Sequence, residues 1–101
     1  YTADKRSHLF PDVPTMQEAG VKDFLMSAWG GIVAPAGTPK DVIHRLNKEI
    51  NIAMKGKVMT EAFAKMGKTA VESSVEDFTR FIRSETDKWA VVVKHTGASL
   101  D

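Results

Sequence analysis

The sequence WGGIVAPAGTP, residues 29–39, contains the transition that decides how this chain folds. Its first six residues are the second half of a longer segment, residues 23–34. Because the residues in this half are consecutively apolar, the segment predicts a buried strand. Residues 35–37 predict a loop. Thr38 and Pro39 then predict the N-cap and the first position of a helix. The stretch thus predicts a strand, a loop and a helix in succession.

Upstream of this strand, prolines exclude a long helix. The first fourteen residues predict an extended entry, because Pro11 and Pro14 each restrict the preceding residue to extended geometry. Thr15 and Glu18 have the spacing of a capping box, in which each side chain bonds an end amide of the other residue. Gly20 predicts a left-handed cap. A short helix is therefore expected between Thr15 and Gly20.

Downstream of the loop, glycines divide the chain into three further predicted helices. The first is interrupted at Gly56, the second is closed at Gly67, and residues 69–71 predict a short strand. Ser74 is expected to cap a long last helix that ends at Gly97. The apolar faces of these helices comprise Val42, Ile43, Leu46, Ile50 and Ala53, then Val58, Met59, Ala62, Phe63 and Met66, then Phe78, Phe81, Ile82, Trp89, Val92 and Val93.

This inventory of four helices and few strands is unusual for a complete domain. A buried strand needs neighbouring strands to pair its backbone groups, and the sequence supplies too few of them. Two explanations remain open at this stage. The chain is part of a larger fold, or it borrows strands from a second copy of itself.

Composition excludes several classes of function. The net charge is +1, from 14 basic and 13 acidic residues, so no overall field attracts nucleic acid or an anionic membrane. No apolar run is long enough to span a bilayer, and no signal peptide is predicted. The absence of cysteine excludes disulfides and thiolate sites. The three histidines are scattered and no acid–base pair or nucleophile is assembled by spacing, so we expect no metal, no cofactor and no enzyme.

Several motifs, taken in order, resemble a known family. They are Arg6-Ser7, Phe10-Pro11-Asp12-Val13-Pro14-Thr15 with Glu18-Ala19-Gly20, the stretch from Trp29 to Pro39, Leu46-Asn47 with Glu49-Ile50-Asn51, and Glu76-Asp77-Phe78 leading to Trp89, Val92-Val93-Lys94 and Gly97. Their order and spacing resemble the Bug receptors, the extracytoplasmic solute-binding proteins of tripartite tricarboxylate transport systems.

The resemblance implies an α/β fold in which residues 1–101 form a single partial domain. This would be the C-terminal part, about the last third, of a two-domain periplasmic-binding-protein (type II) fold, helix-rich and with few strands. Residues 1–22 would then lie at the cleft in the second domain, residues 23–35 would form the strand that crosses the hinge, and the helices of residues 38–97 would pack on the first domain's sheet. The implied ligand is a small carboxylate, the implied partners in the full-length parent are membrane permease subunits, and the implied location is the periplasm.

Three residues are candidates for ligand binding, each with a structural alternative that the sequence favours. Asp12, between two prolines, would orient the ligand or a bridging water, or else would form an Asx turn that caps the following helix. Thr15 would offer its hydroxyl or its helix N-terminus to a carboxylate, or else would be a plain N-cap. Arg6 would pair with a ligand carboxylate, or else would be a solvated surface residue.

Two function hypotheses follow from different classes. The first is a solute-binding receptor, or part of one, for a small carboxylate. The second is a truncated, non-binding structural module that self-associates into a homo-oligomer by sharing strands, since helices without a sheet would leave apolar faces uncovered.

Overall fold

The computed structural model describes residues 1–99 and divides the chain into two compact units, the first formed by Tyr1–Val33 and the second beginning at Ala34. The regular elements are three helices, all in the second unit: α1 (Lys40–Lys55), α2 (Lys57–Lys65) and α3 (Val75–Thr96). No strand occurs within residues 1–99. The helix-rich part of the predicted fold class is therefore confirmed for these residues, and its strands are not formed by them.

The prediction of a strand over residues 23–34 is wrong, and so is the prediction of a short strand at residues 69–71. Both segments are irregular. In the first, the Met26 amide donates to the Thr2 carbonyl at 2.9 Å, but no ladder develops. The physical reason is that a strand is stable only when a neighbouring strand takes up its backbone donors and acceptors. An apolar pattern predicts that a segment will be buried, but not whether a partner is present.

The prediction of a short helix from Thr15 is also wrong, because residues 16–20 form a turn. The Ala19 amide donates to the Thr15 carbonyl at 2.9 Å, which closes one helical turn, and Gly20 then adopts a left-handed φ of +91°. Between Pro14 and Gly20 there is no room to extend beyond the first turn, whose nucleation is the unfavourable part of helix formation. The predicted left-handed cap at Gly20 is confirmed.

The start of α1 differs from its prediction by one residue. Thr38 does not cap the helix, because its hydroxyl donates to the Pro35 carbonyl at 2.8 Å and closes the preceding turn. Pro39 therefore takes the N-cap position instead of the first helical one. The Ile43 amide donates to the Pro39 carbonyl at 3.1 Å and begins the helical hydrogen bonds.

The other helix ends lie at the glycines and the serine that the sequence predicts. Gly56 separates α1 from α2 with extended backbone, and Gly67 and Gly97 adopt left-handed φ values of 66° and 67° after α2 and α3. Ser74 caps α3, since its hydroxyl accepts the Asp77 amide at 3.0 Å. The hydrogen bond with Ser74, followed by the pairing with Arg80, lowers the pKa of the Asp77 carboxyl.

A polar link holds α1 to the residue that precedes the cap of α3. The side-chain amides of Asn47 and Asn51 both donate to the Ser73 carbonyl at 2.9 Å, and the Ser73 amide donates back to Asn51 Oδ1 at 3.2 Å. Nearby, Lys55 and Glu72 form an ion pair of 3.0 Å. Because both backbone groups of Ser73 are bonded to α1, the N-terminus of α3 is fixed against that helix.

The apolar side chains of both units are not buried within residues 1–99. The buried side chains there are Thr15, 4% exposed, and Glu85, 9% exposed, which accepts a bond from Trp89 Nε1 at 3.1 Å and pairs with Lys88. By contrast, Val58 is 80% exposed and Val33 76%. The helices are thus held by caps and polar links rather than by a shared apolar core.

Across the described part of the chain, no helix combines the length and the apolar character that crossing a bilayer requires.

The cap of α3 can be tested with two serine substitutions on the same helix. Ser74→Ala should lower the free energy of unfolding by about 1 kcal/mol, because the Asp77 amide loses its acceptor. Ser84→Ala is the matched control: the Ser84 hydroxyl only donates to the Phe81 carbonyl, and alanine is a better helix former. Urea unfolding followed by circular dichroism measures both. Equal effects of the two substitutions would contradict the assigned cap.

Candidate functional site

The residues predicted to bind ligand all lie in the first unit, and two of them meet at one carboxylate. Glu18 Oε2 accepts a bond from Arg6 Nε at 2.8 Å and another from the Thr15 amide at 2.8 Å. The Arg6 guanidinium and the Thr15 amide, which were predicted to bind a ligand carboxylate, therefore both bind the carboxylate of Glu18.

Arg6 makes a second contact that reaches the proline-rich loop. Its Nη1 donates to the Pro11 carbonyl at 3.1 Å. That carbonyl lies inside a β-turn in which the Val13 amide donates to the Phe10 carbonyl at 3.1 Å, with proline at the favoured second position. The guanidinium thus bridges the loop to Glu18. The Arg6 side chain is 45% exposed, so it makes these two contacts while remaining in part accessible to solvent.

Thr15 is buried and takes its capping role. Its hydroxyl accepts the Glu18 amide at 3.2 Å while the Glu18 carboxylate accepts the Thr15 amide, so the predicted capping box is formed. At 4% exposed, the side chain presents little surface to a ligand.

Asp12 is placed differently from the other two candidates. It occupies the third position of the Phe10–Val13 turn and is exposed, and within residues 1–99 its carboxylate has no hydrogen-bond or ion-pair partner. The predicted Asx turn is therefore not formed, and Thr15 caps the following turn instead. The carboxylate of Asp12 remains available as an acceptor at the tip of the loop.

Glu18 is the residue whose role the sequence did not reveal. Its spacing from Thr15 predicts the capping box, but the bond from Arg6 joins residues twelve positions apart and has no local signature. Hydrogen bonds from Arg6 and then from the Thr15 amide hold the pKa of the Glu18 carboxyl below its ordinary value. Glu18 is consequently ionised throughout the neutral range and bonds both groups as an anion.

Other surfaces of residues 1–99 are less suited to a ligand. One shallow groove follows a single face of α1, and another lies between the first turns of α1 and α3, where Lys40, His44 and Glu76 line it. Neither encloses a buried polar group. In the same part of the chain, no cluster of three or more His, Cys, Asp or Glu side chains has the geometry to hold a metal ion.

Comparison with known proteins assigns the chain to a family of transport receptors. Residues 1–98 match the family described as "Tripartite tricarboxylate transporter family receptor", so the chain belongs to that family, as its motifs indicate. It is 42% identical over 99 residues to "Protein BugT" of Bordetella pertussis, covering 98% of this chain and 30% of that protein.

Two further relatives have names that specify no ligand. A "UPF0065 protein in tcbD-tcbE intergenic region" of Pseudomonas sp. strain P51 is 36% identical over 91% of this chain and 28% of its own length. A UPF0065 protein of Agrobacterium vitis is 31% identical over 95% of this chain and 29% of its own length. The chain thus spans less than a third of the length of each of these three relatives. No solved structure gives a significant match.

The contacts of Glu18 predict a pH dependence in the acid range. Because its pKa is lowered in the folded chain, the stability contributed by these contacts is complete above the ordinary carboxyl pKa of 4.5. It is lost as the pH falls through the lower folded value. A side-chain carbon NMR titration should show Glu18 titrating at a lower pH in the native chain than in Arg6→Gln, which removes the largest cause. An identical titration in the two proteins would show that Arg6 does not act on Glu18.

Proposed function

We propose that this chain is the C-terminal part of a solute-binding receptor for a small carboxylate in a tripartite tricarboxylate-type transport system. Membership of the receptor family over residues 1–98 is the observation that supports this function most strongly. The location that follows is the periplasm, and the macromolecular partners are the permease subunits in the membrane, to which the complete receptor delivers its ligand.

The loop of residues 10–15 is the proposed point of ligand contact in this chain. Asp12 is exposed at its tip and would accept a bond from a ligand hydroxyl, from a ligand ammonium group or from a bridging water. Arg6 uses two of its five N–H donors on Glu18 and Pro11, and its side chain is 45% exposed, so its remaining donors would reach a ligand carboxylate. Thr15 would contribute by holding the loop, because its polar groups are in the capping box.

One observation favours a second candidate function. The exposed apolar side chains of α1, α2 and α3 have no cover within residues 1–99, with Val58 80% and Val91 60% exposed. A structural module that associates with a second copy of itself would cover these faces without binding any solute. The two functions differ in whether a carboxylate binds and in the mass of the particle.

Calorimetric titration with citrate and malate tests the receptor function. The chain should bind one of them, and Asp12→Asn should weaken that binding about tenfold, because a charged acceptor is lost at the contact. Asp87→Asn, an exposed aspartate on α3, is the matched control and should leave the affinity unchanged.

Light scattering of the same samples distinguishes the alternative. A monomer that binds ligand would support the receptor function. An oligomer that gives no heat with either carboxylate would contradict it and would support the self-associating module. Equal losses of affinity in Asp12→Asn and Asp87→Asn would place the ligand elsewhere than on this loop.

A further inference from the structure

The guanidinium of Arg6 and the carboxylate of Glu18 close a ring around the loop that carries Asp12. Arg6 Nε bonds Glu18 at 2.8 Å, and Arg6 Nη1 bonds the Pro11 carbonyl at 3.1 Å. From Pro11 the ring continues along the backbone to Thr15, whose amide donates a hydrogen bond to Glu18 Oε2 at 2.8 Å. A segment of five residues is therefore fixed at both ends by the same charged pair.

The atoms bound by this ring explain how it acts on the position of the loop. Glu18 has its donors on one oxygen, Oε2, which receives both Arg6 and Thr15. Arg6 contacts a main-chain carbonyl in the turn, one residue before Asp12. None of these bonds involves the Asp12 side chain, so the ring restrains the backbone beneath Asp12 and leaves its carboxylate exposed.

Local structure alone would not hold this loop. Val13 donates one hydrogen bond to Phe10 across the turn, and the residues between the turn and Thr15 form no regular element. Pro11 and Pro14 restrict their own φ angles but bond nothing through nitrogen. Two contacts join this loop to residues far apart in sequence. The Tyr1 amino group donates to the Pro14 carbonyl at 2.6 Å, and the charged pair connects Arg6 with Glu18, twelve positions away. Of the two, only the charged pair bonds both the Pro11 carbonyl and the Thr15 amide.

We infer that Arg6 and Glu18 are positioning residues, whose bonds to each other, to the Pro11 carbonyl and to the Thr15 amide preorganise the loop that presents Asp12. Preorganisation lowers the entropy that a loop loses when a ligand orders it. The relevance of this positioning to binding rests on the proposed receptor function. The ordering of the loop itself does not depend on a ligand.

Amide hydrogen exchange of the 101-residue chain, measured without ligand, tests the inference. Glu18→Ala removes both bonds at once, and the amides of Val13 and Thr15 should exchange about tenfold faster. Arg6→Lys keeps the charge but replaces the planar fork by a single ammonium, so it should accelerate the Val13 amide about threefold. The amides of α1, α2 and α3 should not change in either variant.

Arg83→Lys provides the matched control, since Arg83 is an exposed arginine on α3 with no partner among residues 1–99. It should leave the loop amides unchanged. Loop exchange that stays within twofold of the parent in both Glu18→Ala and Arg6→Lys would overturn the inference. So would exchange that rises equally over the loop and the three helices. If Glu18→Ala does not fold, the conservative Arg6→Lys variant decides alone.

A binding measurement separates this inference from the proposed function. If the parent chain binds citrate or malate, Glu18→Ala should weaken that affinity about tenfold, mainly through a less favourable entropy. Unchanged affinity together with faster loop exchange would contradict the ligand-contact role of the loop, while supporting both the receptor function and the positioning role. Absence of binding by the parent chain, together with faster loop exchange in the variant, would contradict the proposed function and still support the positioning role. Unchanged affinity and unchanged exchange would overturn the positioning role.

Discussion

The carboxylate of Glu18 is the group on which the proposed binding loop depends. It accepts the Thr15 amide and the Arg6 guanidinium on the same oxygen, and Arg6 in turn holds the Pro11 carbonyl. An ion pair between exposed groups contributes little stability by itself. Here the pair acts through the groups that it joins, because the guanidinium bonds the Pro11 carbonyl and the carboxylate bonds the Thr15 amide, at the two ends of a loop with no regular secondary structure. The Tyr1 amino group adds a bond to the Pro14 carbonyl at 2.6 Å. The result is an aspartate on a restrained backbone, open to solvent.

The helical unit is organised by a comparable polar contact. Asn47 and Asn51 hold the Ser73 carbonyl, and the next residue, Ser74, caps α3. These bonds set where α3 begins relative to α1, yet they bury no apolar side chain within residues 1–99. Burial of apolar surface is the main favourable term in folding. The apolar faces of the helices are therefore suited to contact with further polypeptide.

The features that the sequence predicts correctly are those whose partners lie within about four residues. The capping box of Thr15 and Glu18, the cap at Ser74 and the left-handed glycines at 20, 67 and 97 all depend on such short-range bonds. The strand at residues 23–34 depends on a partner strand, which a residue pattern cannot supply. The bond between Arg6 and Glu18 was not predictable for the same reason. The receptor family, in contrast, is indicated by the order and spacing of the motifs, and the family match confirms it.

We propose that a small carboxylate binds at the loop that Arg6 and Glu18 hold. Nitrogen–proton NMR correlation spectra of the labelled chain, recorded while citrate or malate is added, test it most directly because each backbone amide reports separately. We expect the amides of residues 10–18 to shift with a saturable dependence on ligand concentration while those of α1, α2 and α3 stay in place. Saturable shifts confined to the helices, or none anywhere in the spectrum, would contradict the claim.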